Sequence, residues 1–121
     1  MSLFQKSYPP EIAERVPPGQ RLVKSWPVLH YGPIPSFDGA NWDLEVFGLV
    51  ENPFTASYEE LRKLGPASVH ADMHCVTGWS LLDNDWEGVP FRTLLEMARP
   101  TAEAKWVIAH CAYGYTSNLS I

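Results

Sequence analysis

Cysteine is scarce in this chain: Cys75 and Cys111 are the only two among 121 residues. That count excludes a framework of several disulfides and leaves either one bridge or two thiols. Basic side chains are also few and dispersed, nine Lys and Arg against fourteen Asp and Glu, for a formal charge of -5. A nucleic-acid partner requires a basic stripe to meet its phosphates, and an anionic bilayer asks for the same, so neither is expected. No apolar run approaches the ~20 residues that cross a bilayer, so no membrane span is expected. The opening, MSLFQKSYPPEIAERVPPG, lacks an apolar stretch of signal-peptide length. The cytoplasm is therefore the expected location, an export signal already removed being the alternative. CxxC and HExxH spacings are missing, as is a glycine-rich strand-to-helix turn, which removes the usual zinc and phosphate signatures. The acidic run Asp83, Asp85, Glu87, Gly88 fails as a calcium loop, because Leu94 stands where the bidentate glutamate belongs.

What is present is apolar bulk. Hydrophobic residues make up 45% and aromatics 12%, five of them Trp, the composition of a folded domain with a bulky core. The length allows one domain, and no repeat or internal boundary is visible. Residues 1–25, rich in proline, read as an irregular arm, and 26–121 as the domain proper. Asn41 to Val50 alternates, with Trp42, Leu44 and Val46 on one face against Asp43 and Glu45, and is a strand. Ser57 and Glu60 form a capping box that opens a short helix through Leu64, stopped by Gly65 and Pro66. Ala67 to Cys75 alternates again, and VTGWS then reads as a loop into a polar stretch, LLDNDWEG. Pro90 opens a second helix carrying Phe91, Leu94, Leu95 and Ala98 on one side. Lys105 to Cys111 is a nearly continuous apolar run and reads as a buried strand, with Cys111 in the core. The closing YTSNLSI has the character of a beginning strand, so the fold is expected to be incomplete at the C-terminus. The class is α+β: a mixed β-sheet domain with short helices.

The residues with most chemical interest are His74-Cys75-Val76-Thr77-Gly78-Trp79-Ser80. A cysteine at a strand end, entering a glycine-containing loop, has its sulfur at the rim of a sheet. Thiolate is a soft ligand for thiophilic metals, and metal binding itself lowers the thiol pKa. Gly78 lets backbone approach a ligand, and Trp79 can wall a cavity. Three other readings stand beside this one. Cys75 is a buried core thiol, as free cysteines commonly are. Zinc has ligand types in His70, His74, Cys75, His110 and Cys111, although strand neighbours point to opposite faces and should not converge. Cys75 with His30 or His110 makes a nucleophile pair.

Several segments, in this order and spacing, resemble the molybdopterin-binding domain of the sulfite oxidase family: WPVLHYGPIP at 26–35, DLEVFGLVENPFTASYEELRKL at 43–64, ADMHCVTGWS at 71–80 and WEGVPFRTLLE at 86–96. AKWVIAHCAYGYTSNL at 104–119 looks like that family's next strand and turn. The HCVTGWS segment is the specific one. The resemblance implies a mixed α+β fold of the sulfite oxidase molybdopterin-domain type, holding a molybdopterin cofactor with one molybdenum. It implies two-electron oxygen-atom transfer to or from a small substrate, sulfite-like or sulfoxide-like, with Cys75 as the protein thiolate on the metal. It places His30 and Tyr31 near the pterin and metal, and Val76, Thr77 and Trp79 along the same cavity. It also suggests a haem or flavin electron-transfer partner.

Two departures bear on substrate and cofactor. Sulfite oxidases proper carry arginines before the proline-rich loop and soon after the cysteine, where a guanidinium fork suits a small oxyanion. The stretches here are VLHYG and VTGWSLL, with no arginine, which argues against sulfite. The sulfoxide-reducing branch, with its own Trp-Ser after the cysteine, is closer, although Thr77 stands where an acidic residue is expected. The family's phosphate-holding basic residues lie downstream of Ile121. The rival expectation is therefore a truncated or degenerate relative that acts as a non-catalytic binding or interaction domain.

Overall fold

A computed structural model describes residues 8–121. The expected α+β class is what it shows: seven strands and three short α-helices among the described residues. Residues 1–7 of the expected arm lie outside them. The chain divides into two compact units, both discontinuous in sequence. One takes the chain up to Val28 together with Val69–Trp86, and the other takes Leu29–Ser68 with Glu87–Ile121. No boundary was visible in the sequence because each unit is assembled from distant segments, which leave no composition shift between them.

The first unit is organised by a three-stranded sheet in the order β1 (Arg21–Leu22), β5 (Trp79–Gly88), β4 (Ala67–Cys75). β4 and β5 are joined by only three residues, Val76 to Gly78, which is a hairpin-length connection. Gly78, at φ +88°, takes the left-handed conformation that closes the turn. β1 runs parallel to β5, with Arg21 opposite Trp79 and Leu22 opposite Ser80. The arm is thus partly ordered: Pro10–Ala13 form a helical turn, α1, with Pro10 at its start, and Arg21–Leu22 join the sheet.

β5 corrects the sequence reading, which placed a loop and a solvated acidic stretch at 76–88. Asp and Asn are depleted in strands, so LLDNDWEG lacks a strand's composition. The carboxylates are accommodated by an arginine and a histidine facing them. Arg15 pairs with Asp72 and Asp83, each at 2.6 Å. His70 lies 2.7 Å from Asp85 and 3.4 Å from Asp83. Asp83 itself has φ +59°, a conformation Asp tolerates because its short side chain bonds locally.

In the second unit, β2 (Asp43–Val46) pairs antiparallel with β3 (Phe54–Ser57), Asp43 opposite Ser57 and Val46 opposite Phe54. The expected alternation holds, with Leu44 and Val46 half-buried and Asp43 and Glu45 exposed. The capping box forms: Ser57 Oγ accepts from the Glu60 amide, and the Ser57 amide donates to the Glu60 carboxylate at 2.8 Å. It opens α2 (Tyr58–Arg62). α3 (Phe91–Ala98) follows Pro90 and buries Ala98. The carbonyls at its end are taken up by the loop after β2. The amides of Glu51 and Asn52 donate to Arg99 and Ala98, and the Asn52 side chain donates to Met97. A helix end so satisfied needs no further cap.

β6 (Trp106–His110) and β7 (Thr116–Ser120) form an antiparallel pair across the Ala112–Gly114 turn, with Trp106 opposite Ser120. The strand character expected of the closing segment is present. The burial expected of β6 is not: only Val107 is half-buried, and Cys111 is exposed. Pairing with β7 satisfies one edge of β6 and covers neither of its faces. The fully buried apolar residues among those described are Ala56, Trp79 and Ala98.

Candidate functional site around Cys75

Cys75 is the last residue of β4, and its thiol is half-buried at the mouth of the hairpin turn. Chain reversal at Gly78 brings the Gly78 amide back to donate to the Cys75 carbonyl at 3.0 Å. The thiol and the Thr77 hydroxyl are 3.2 Å apart. Hydrogen bonds from the Thr77 hydroxyl and then its amide hold the Cys75 thiol below the ordinary range, burial opposing them weakly. Donors aimed at sulfur favour the thiolate over the thiol.

Trp79 opens β5, is 4% exposed, and meets the Trp26 ring edge-on with centroids 5.7 Å apart. Trp26 in turn meets Trp86 at 5.4 Å. Only the Trp79 end of this cluster is buried, Trp26 and Trp86 remaining exposed. The indole N–H of Trp79 is buried and has no acceptor among the described residues. Val76, by contrast, projects outward and is 99% exposed.

Behind the turn lies a polar chain that the sequence did not disclose. Gln20 donates from Nε2 to the Cys75 carbonyl at 3.0 Å. Its Oε1 receives the Ser80 hydroxyl at 3.1 Å, and Ser80 Oγ lies 2.8 Å from His74 Nδ1. Ser80 is completely buried. Ser80 and His74 belong to the recognised segment, but Gln20 sits in proline-rich sequence with no pattern to mark it.

His30 and Tyr31 belong to the second unit. His30 Nδ1 is 2.6 Å from the Gly32 carbonyl, which can only accept, so Nδ1 carries a proton. Tyr31 is exposed and packs against the Tyr115 ring at 5.3 Å. His110 stacks on Phe47 at 6.0 Å. Both cysteines are free. Among the described residues no three His, Cys, Asp or Glu side chains gather as a ligand set, so the zinc alternative has no geometry behind it. No helix among them is long and apolar enough to cross a membrane.

Residues 31–121 match the profile of the oxidoreductase molybdopterin binding domain. The chain is 41% identical over 119 residues to a Bacillus subtilis protein named as the uncharacterized oxidoreductase YuiH. It is 38% identical over 72 residues to the catalytic subunit MsrP of a Campylobacter jejuni protein-methionine-sulfoxide reductase. It is 31% identical over 107 residues to YedZ1 of Azospira oryzae, named as a putative subunit of such a reductase. The matches cover 98%, 60% and 86% of this chain, but only 60%, 24% and 40% of the relatives' lengths. No solved structure matches.

Proposed function

This chain belongs to the oxidoreductase molybdopterin-binding domain family, and we propose that within it Cys75 is the protein thiolate that ligates molybdenum. The observation that carries the proposal is the placement of Cys75: a half-buried thiol at a strand end, with Thr77 donors beside it and a turn backbone that Gly78 alone accommodates comfortably. The residues fit the cofactor. Cys75 offers a soft donor of the kind molybdenum takes, and the unpartnered indole N–H of Trp79 is a donor available to a bound acceptor. Val76 and Thr77, on the same turn as Cys75, are proposed to line the cofactor, whereas the family resemblance alone assigns His30 and Tyr31 a cofactor role.

The substrate class we propose is a sulfoxide. Two relatives carry methionine-sulfoxide reductase names, and the arginines that would grip a sulfite anion are missing from VLHYG and VTGWSLL. When bound, the molybdenum cofactor supplies the two-electron exchange of an oxygen atom, by which a sulfoxide, two electrons and two protons become a sulfide and water. The electrons require a donor, for which a haem or flavin partner protein is proposed. The chain's own contribution is to hold the thiolate and to orient the ligand loop, with Trp79 buried at the start of β5.

The test is elemental analysis of protein from a cofactor-making host, wild type beside Cys75→Ser. Molybdenum near one atom per chain in the wild type and its loss in the variant is the expected result. Molybdenum retained in Cys75→Ser, or absent from both, removes the ligand assignment.

A further inference from the structure

We propose that Gln20 is a positioning residue for Cys75, and that the segment Gly19–Val23 is a strap that sets the direction of the thiolate. The inference rests on Cys75 being the metal ligand, but its observations are independent of that reading.

The strap is tied to the ligand turn and the start of β5 by two of its backbone amides. The Arg21 amide donates to the Gly78 carbonyl at 2.9 Å, and the Val23 amide donates to the Ser80 carbonyl at 3.0 Å. Between them Leu22 donates to the Tyr8 hydroxyl at 3.2 Å. A Cβ placed on Gly78 would lie 3.7 Å from the Gly19 carbonyl, so strap and turn are in van der Waals contact there. Backbone pairing alone fixes the turn as a whole, not the tilt of the Cys75 peptide. Gln20 supplies that.

The proton inventory makes the arrangement single-valued. The Cys75 carbonyl can only accept, so the Gln20 atom facing it is the amide nitrogen. Gln20 Oε1 therefore faces Ser80 and can only accept, which commits the one Ser80 hydroxyl proton to it. Ser80 Oγ must then accept from His74 Nδ1, which carries its proton. Each member has one role, and the chain ends on the residue bearing the thiol. With Ser80 fully buried, no water substitutes for a lost member without opening the turn. The Cys75 carbonyl holds two donors, Gly78 N–H from one side and Gln20 from the other. Releasing Gln20 lets that peptide rotate and swings the sulfur with it.

The experiment uses the full chain carrying Cys111→Ser, so that Cys75 is the only thiol. Alkylation of the metal-free protein by iodoacetamide is followed at a pH where Cys75 is fully ionised, so that the rate reports access and direction. Gln20→Ala, and the nearly isosteric Gln20→Glu that turns a donor into an acceptor, are each expected to change that rate by about fivefold, the scale of one hydrogen bond. In molybdenum-loaded protein the same variants are expected to shift the thiolate-to-metal absorption band while far-UV circular dichroism stays that of the parent. An unchanged rate in folded Gln20→Glu overturns the proposal, as does a changed rate with an unmoved absorption band. Failure of the ligand assignment itself shows separately, as molybdenum retained by Cys75→Ser.

Discussion

Among the described residues of the first unit Trp79 is the one buried aromatic, and it meets Trp26 edge-on. Trp79→Ala is expected to destabilise by about 3–5 kcal/mol, the usual range for deleting a buried aromatic. Trp79→Phe is expected to cost clearly less, because the indole N–H it removes has no acceptor among the described residues. Urea unfolding of the three proteins decides it, and equal losses for Phe and Ala would mean that the N–H is bonded after all. Gly78 is a second residue whose role is conformational. At φ +88° any side chain is strained, while the nearest atom to a new Cβ is an unobstructive 3.7 Å away. Gly78→Ala is therefore expected to cost about 1 kcal/mol through backbone strain rather than collision. Cys75, Gly78 and Trp79 stand together in one short segment, and that is why they were legible in the sequence. Gln20 was not, because its partners lie fifty-five and sixty positions away and a lone glutamine has no periodicity.

At the scale of elements, legibility followed how local each cause is. The capping box at Ser57 and Glu60 is a contact over three residues, and the sequence located α2 by it to within two positions. The Pro90 start and the Arg99 left-handed end bracket α3 in the same way. β5 was missed because its stability is not local: the acidic residues that make it look like a turn are held by Arg15, from the turn after α1 and sixty-eight positions before Asp83, and by His70 on β4. β6 was found as a strand but misjudged as buried, since an apolar run fixes the conformation and says nothing about what covers it. The capping box gives an element-scale prediction. Ser57→Ala removes the acceptor for the Glu60 amide and the hydroxyl bond to its carboxylate, and is expected to cost about 1 kcal/mol. Hydrogen exchange should show the loss confined to Tyr58–Arg62, and protection unchanged there would remove the cap's importance.

At the scale of the whole first unit, the sheet's polar face sets a pH window. Asp72 is held down to about 2 from 3.8, first by its hydrogen bonds from Arg15, then by the Asp83 amide, with weaker contributions from the Arg15 and His74 charges. Asp83 is lowered too, by Arg15 and then His70, against repulsion from Asp72. A depressed carboxyl stabilises the fold fully above its ordinary value, and that contribution disappears as the pH falls from 3.8 toward about 2. His70 behaves in the opposite sense. Its two ring nitrogens face Asp85 and Asp83, and only the imidazolium has a proton for each, so its pKa is raised above 6.5. A raised histidine stabilises fully below 6.5 and ceases to contribute as the pH climbs through its raised value. The network is therefore at full strength between the carboxylate and histidine ranges, and weakens on both sides. Urea midpoints measured across that span should fall at both ends for the wild type. Asp72→Asn should flatten much of the acid limb and leave the neutral one, whereas His70→Gln should flatten the neutral limb and reduce the acid limb only by the part that Asp83 owes to His70. These groups face solvent, so added salt should shrink both limbs. Limbs indifferent to salt and to both substitutions would place the pH dependence elsewhere in the chain.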